Sequence, residues 1–201
     1  MNDKTRRNLR WMTFTALLSA LAAVLQFFEI TLPFVPSILK LEFSDLPALI
    51  AAFLLGPVSG VVVELIKNCF HLLFTWSSGV GELCNFLLGA LLVLPAGLIC
   101  RRRRTVKGAL AGGLAGTAAM ALGSMLVNGF ITYPFYAAVM MPMEVILDMY
   151  RVFVPGISNL WQALLLFNLP FTALKGLIAV AVSVPLFKRL STAFGTVRTD
   201  R

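Results

Sequence analysis

The sequence predicts an all-α integral membrane protein, a single transmembrane domain over residues 1–201 with six membrane-spanning helices and both termini cytoplasmic. Three observations carry that prediction. The chain is 59% hydrophobic and 13% charged with a mean hydropathy of +0.88, whereas soluble chains are roughly 45–50% apolar and 25% charged. Apolar runs close to the ~20 residues needed to cross about 30 Å of hydrocarbon recur along it. The charges gather at the ends of those runs.

The first span runs from Trp11 to about Phe28. It follows the basic segment KTRRNLR and contains Ala20-Leu21-Ala22, as a cleavable leader could, but it is long enough to stay as a helix. In the next loop, ITLPFVPSILKLEF, Pro33 and Pro36 forbid a regular helix, and Lys40 and Glu42 need polar surroundings. Span two starts at SDLP, where Ser44 or Asp45 can cap and Pro47 fits the first turn, and it ends near Leu55. Being short, it must tilt or be partly buried in protein. Gly56-Pro57 turns the chain into span three, Val58 to about Phe74, and TWSSGVGE makes a second polar turn. Span four, about Leu83 to Ile99, ends at Arg101–Arg104. Span five, about Lys107 to Tyr133, carries Gly108, Gly112 and Gly116 at four-residue spacing, which lets a neighbouring helix approach closely in lipid. Pro134 to Asn159 reads as a long, partly helical loop holding Glu144, Asp148 and Arg151, and span six runs from about Leu160 to Leu186, ahead of Lys188 and Arg189.

Charge by side sets the orientation. The N-terminal cations, the cluster at 101–107 and the C-terminal Lys188, Arg189, Arg198 and Arg201 (with Asp200) fall on one side. The other side is net acidic, with Glu29, Glu42, Asp45, Glu82, Glu144 and Asp148 against Lys40 and Arg151. Lys and Arg accumulate on cytoplasmic loops, so both termini are expected inside and the irregular loops outside. Trp11 near one interface, and Trp76, Tyr133 and Trp161 near the other, fit aromatic belts. The formal charge of +8 is thereby an insertion signal and does not imply nucleic-acid binding. Cys69, Cys84 and Cys100 are an odd number without metal-site spacing and read as packing residues.

Polar residues within the spans are the informative ones. A charge at the bilayer centre costs at least ~2.5–3.5 kcal/mol, so it usually faces protein or a cavity. Glu64, Lys67, Asn68 and His71 share one helical face. They suit an internal polar network built on a Glu64–Lys67 pair, or a wall of a ligand cavity. An intramembrane enzyme using Glu64, Lys67 and His71 is the rival from another class, but no nucleophile with a paired base is evident and the expectation is a non-enzyme. On span six, Asn168, Thr172 and Lys175 share a face beside Pro170. Lys175 has no carboxylate in its own helix and needs acceptors from elsewhere, which a ligand could supply. Asn85 and Asn128, near the same ends of spans four and five, could complete the cavity. No GxxxxGK[ST] phosphate loop occurs, so this chain cannot itself use ATP.

The stretch LPFVPSILKLEFSDLPALIAAFLLGPVSGVVVELIKNCFHLLF, with NFLLGA at 85–90, VNGFITYPFY at 127–136 and PFTALKGLI at 170–178, closely resembles the riboflavin-specific S components of energy-coupling factor (ECF) transporters. The resemblance implies the S-component fold in a bacterial cell membrane and riboflavin as transported ligand, with no cofactor or metal. It also implies two cytoplasmic ATPases and a transmembrane coupling subunit as partners. Asn128, Thr172 and Lys175 look like the polar contacts to the flavin, and Leu39, Lys40 and Leu41 like its lid. Thr172 departs from the family, which often has Asn there, and Asn168 one turn earlier is the alternative contact. Phe34, Phe135 or Tyr136 could stack on the ring. A different vitamin on the same fold is the nearest rival reading. In span one, Ala16 and Ala20, with Thr15, Ser19 and Ala23 alongside, form a small face. It suits packing within the bundle or, as the resemblance implies, docking to the coupling subunit.

Overall fold

The computed structural model describes residues 2–75 and 77–194. Trp76, Arg198, Asp200 and Arg201, used above to place belts and charge, lie outside the described residues. Helix α1 (Asp3–Gln26) leads into a two-stranded antiparallel hairpin, β1 (Ile30–Thr31) and β2 (Lys40–Leu41), in which Ile30 faces Leu41 and Thr31 faces Lys40. Helices α2 (Asp45–Leu54), α3 (Pro57–His71), α4 (Val80–Arg103) and α5 (Val106–Val127) follow. A π-helical turn, Asn128–Thr132, joins α5 to α6 (Tyr133–Val139). Helix α7 (Met143–Arg151) lies before α8 (Leu160–Ala163), and a second π-helical turn, Leu164–Asn168, leads into α9 (Leu169–Phe194).

Among the described residues, five helical runs are long and apolar enough to span a bilayer: Lys4–Gln26, Pro57–Phe74, Val80–Arg103, Val106–Val139 and Leu160–Ser191. The sixth expected span, α2, is a ten-residue helix. At 1.5 Å per residue it is only about 15 Å long, and it meets the shortage by burial: Ala48, Leu49 and Ala51 are wholly enclosed. It forms the hub of the core, packed among α1, α3, α4 and α9. The fifth span is longer than expected, because Pro134 does not end it. The π turn just before this proline precedes a new first turn in which its missing N–H is tolerated. The segment expected as a loop therefore holds α6 and α7.

Small residues set the close approaches. A Cβ on Gly112 or Gly116 would lie 2.5 or 2.1 Å from the backbone oxygens of Ala96 and Leu92, so the glycine face of α5 is its seam with α4. Gly60 brings α3 onto α2, where a Cβ would meet that of Ala52 at 2.8 Å. Gly56, at φ +109°, makes the turn ahead of Pro57. The cysteines divide. Cys84 and Cys100 are buried, but Cys69 is exposed on the outer face of α3 and does not pack inside. Tyr133 is likewise no belt residue, being buried against Tyr136 and Tyr150, while Trp161 does keep an exposed face.

Candidate functional site

A cavity opens at one end of the bundle. It is lined from α1 (Gln26), the hairpin region (Glu29, Leu39, Lys40, Glu42), the end of α3 (His71), the start of α4 (Glu82, Asn85, Leu88), α5 and its π turn (Met120, Asn128), α6 (Tyr136), and α9 with its π turn (Asn168, Phe171, Thr172, Lys175). The four-arginine run lies at the other end of the 24-residue α4, roughly 20–30 Å along the helix from its wall residues. Cavity and cationic surface therefore occupy opposite ends. Both π turns contribute wall residues, and a Cβ on Gly129 would meet the Trp161 ring at 2.7 Å and the Leu164 side chain at 3.3 Å, so the first π turn packs on α8 and the start of the second.

Of the residues expected at the site, Leu39, Lys40, Asn85, Asn128, Tyr136, Asn168, Thr172 and Lys175 all line this one cavity. Leu41 does not, since it is buried beneath the hairpin. Among the three aromatic candidates only Tyr136 reaches the wall; Phe34 is exposed on the loop and Phe135 packs against the outer core cluster. Phe171, not singled out in the sequence, and Tyr133, expected in an aromatic belt, line the cavity instead.

Lys175 has its acceptors within the protein. Its Nζ lies 2.7 Å from Glu42 Oε1 and 3.1 Å from Asp45 Oδ2. Asp45 in turn holds Lys67, Nζ to Oδ1 at 2.6 Å, and Lys67 also meets Glu64 at 2.8 Å. The Lys67 ammonium donates to the Ser44 hydroxyl at 2.6 Å, so Ser44 serves this network and makes no side-chain cap on α2. Asn85 Nδ2 donates to Glu42 Oε1 at 3.3 Å, and the Ser44 N–H donates to Glu42 Oε2 at 2.8 Å. Burial alone would push the Glu42 carboxyl up; the Lys175 and Lys67 ammoniums reverse this and hold it well below the usual carboxylate range. Glu64, Lys67 and Asn68 thus belong to a buried network continuous with the cavity through Asp45 and Lys175, and none of the three is a wall residue.

His71, on the same face by spacing, separates from that network. Its Nδ1 lies 3.0 Å from Glu82 Oε1 at the cavity wall, and Ser77 Oγ donates to Glu82 Oε2 at 2.9 Å. Asn168 is almost fully engaged: its Oδ1 accepts from Tyr150 at 2.8 Å, its Nδ2 donates to Tyr133 at 3.2 Å, and those two phenols bond each other. This ties α7 to the cavity wall, and burial holds the Tyr150 phenol well above its ordinary pKa, a neutral donor at any physiological pH. Asn128 accepts from Thr132 at 2.9 Å, which leaves its amide nitrogen as the group with donors to offer.

The small face of α1 splits in two. Thr15, Ser19 and Ala23 are buried, and Thr15 Oγ1 lies 2.6 Å from Ser59 Oγ of α3, whereas Ala16 and Ala20 are exposed on the outer side.

The family model of the ECF transporter substrate-specific component matches residues 10–187. The chain belongs to the S components of ECF transporters. It is 33% identical over 186 residues to the riboflavin transporter RibU of Staphylococcus aureus (strain TCH60), covering 92% of both chains. To the riboflavin transporter FmnP of Bacillus subtilis (strain 168) it is 30% identical over 184 residues, 89% of this chain and 90% of that one. The solved S component of a bacterial ECF transporter superposes with a TM-score of 0.72 at 32% identity, covering 93% of this chain and 98% of that one. As an S component the protein is a substrate-binding subunit and not an enzyme. Glu64 and Lys67, the core of the rival catalytic reading, are fully enclosed away from the cavity.

Proposed function

We infer that this S component is the riboflavin-capturing subunit of an ATP-driven ECF importer, a multi-pass protein of the bacterial plasma membrane. One observation carries the reading: Asn128 from the π turn after α5 and Thr172 and Lys175 from α9 converge on a single cavity that is also lined by the apolar Leu88, Met120 and Phe171. Riboflavin has that duality, with a planar, largely apolar isoalloxazine bearing one donor/acceptor edge and a polyhydroxyl ribityl chain. Ligand sites are mostly apolar with a few placed polar groups. Two relatives matched along nine-tenths of the chain are riboflavin transporters.

In this reading Asn128, Thr172 and Lys175 contact the flavin, Asn85 and Asn168 buttress that wall, Tyr136 offers an aromatic face, and the hairpin segment Leu39–Leu41 is the lid. Lys40 pairs with Glu29 at the hairpin base, which supports a closed lid. The Arg101–Arg104 end is cytoplasmic by the positive-inside rule, so the cavity faces out and both termini face in. A transmembrane coupling subunit and two ATPases supply the energy, and the exposed Ala16 and Ala20 of α1 are the docking face. Displacement of bound riboflavin from the purified protein tests the ligand. Excess unlabelled riboflavin should compete fully while thiamine and biotin leave it bound; displacement by either of those would transfer the cavity to another vitamin.

A further inference from the structure

One polar atom of a cavity-lining residue is left over. Gln26 closes α1 and is 2% exposed, and its Oε1 is buried without a hydrogen-bond partner. Among the described residues it is the cavity-lining side chain with such an orphan. Leaving a buried acceptor unsatisfied is unfavourable, which asks for a partner.

The network fixes which atom this is. Asn68 Nδ2 donates at 2.8 Å to the backbone oxygen of Glu64, which can only accept. Asn68 must therefore turn Oδ1 toward Gln26, and Gln26 Nε2 donates to it at 3.1 Å. Gln26 cannot flip without losing that bond, so the atom it keeps in reserve is an acceptor. The missing partner is a donor.

The surroundings decide which donor of the flavin it is. Gln26 shares its side of the cavity with Glu29, Lys40, His71 and Glu82, two pairs already joined as Lys40–Glu29 and His71–Glu82. The apolar wall of Met120 and Phe171 comes from α5 and α9. The imide edge of the ring presents acceptor, donor, acceptor, and would need donors on both sides of the Gln26 oxygen. Here one of the two Gln26 Nε2 protons is committed to Asn68, and the carboxylates of Glu29 and Glu82 on the same side would repel the two carbonyls. A ribityl hydroxyl carries its own proton and tolerates acceptors on every side. We propose that Gln26, locked by Asn68, is a specificity residue whose Oε1 accepts a hydrogen bond from a ribityl hydroxyl, so that the sugar-alcohol chain lies along the α1–α3 side and the ring along α5–α9.

This rests on riboflavin being the ligand, and the test separates the two claims. Riboflavin and lumiflavin, which carries a methyl group in place of the ribityl chain, are titrated into wild type and Gln26→Met, a change to an unbranched side chain of similar length. Wild type should bind riboflavin more tightly than lumiflavin. Gln26→Met should weaken riboflavin about three- to tenfold and leave lumiflavin unchanged, which also reports an intact fold. Equal losses for both flavins, or unchanged riboflavin affinity, overturns the assignment. So does a wild type that binds both flavins equally, a comparison needing no variant. Failure of wild type to bind either flavin would instead sink the riboflavin reading itself.

Discussion

Lys175 shows how far a residue's role depends on partners distant in the chain. Its contact Glu42 is 133 positions away, so nothing in the span-six sequence revealed that its acceptors are carboxylates of this protein. Removing the ammonium therefore does more than delete a ligand contact, because it leaves Glu42 and Asp45 under-compensated and buried. Breaking such a pair costs about 3–5 kcal/mol. Lys175→Met should accordingly lower thermal stability of the unliganded protein as well as riboflavin affinity, and Lys175→Met combined with Glu42→Gln should recover part of the stability but not the binding. Thermal unfolding with calorimetry checks both; unchanged stability in the single variant would show that the buried pair contributes little. A pH dependence follows with a definite sign. The folded Glu42 carboxyl is held below its ordinary value of 4.5, so its stabilisation is fully present above that value and is lost as pH falls through the depressed one. The stability difference between wild type and Glu42→Gln should be constant from about pH 6 to 8 and begin to shrink below about pH 4. A difference that already changes between pH 6 and 8 would contradict this.

At the level of elements, what was legible depended on whether the signal was local. The Gly108–Gly112–Gly116 ladder announced a close helix approach because small-residue spacing is a property of one helix, but not that its partner is α4. The SDLP start and the shortness of α2 announced a helix that must tilt or be buried, and the structure takes burial. The course of the chain after Asn128 was not legible. Pro134 reads locally as a stop, and only the π turn before it lets the helix continue to Val139. The hairpin was missed because its strands have two residues each and its register is set by a loop with two prolines. For α1, exposure now divides a face that spacing alone left whole, with Thr15 turned to α3, Ser19 buried, and Ala16 and Ala20 turned outward. Helices associate in lipid through close packing, so a bulky residue at a docking position holds the partner away. Ala16→Trp or Ala20→Trp should leave riboflavin binding by the isolated protein unchanged and reduce ATP-dependent uptake in cells. Parallel loss of binding and uptake would place this face inside the bundle instead.

Over the whole molecule, charge is segregated along the bundle axis. The basic end carries Arg101–Arg104, Lys188 and Arg189, while the cavity is walled by Glu29, Glu42 and Glu82 with two lysines already paired. Segregation was readable from the sequence, since it needs only the positions of charges relative to apolar runs. Convergence of Gln26, Glu42 and Lys175 on one cavity was not, because it needs the packing of α1, α3, α4 and α9 around α2. A phosphate dianion usually seeks an arginine cluster or a helix N-terminus, and this cavity wall has no arginine among the described residues. Flavin mononucleotide should therefore bind much more weakly than riboflavin in side-by-side calorimetry, and equal dissociation constants would count against the neutral ligand. The central claim, that the cavity captures riboflavin, is tested most directly by the visible absorption of protein purified in detergent from riboflavin-fed cells. The account predicts a yellow protein carrying up to one flavin per chain, with the flavin fluorescence quenched in the cavity and restored on denaturation. A colourless protein whose spectrum and tryptophan fluorescence ignore added riboflavin would contradict it.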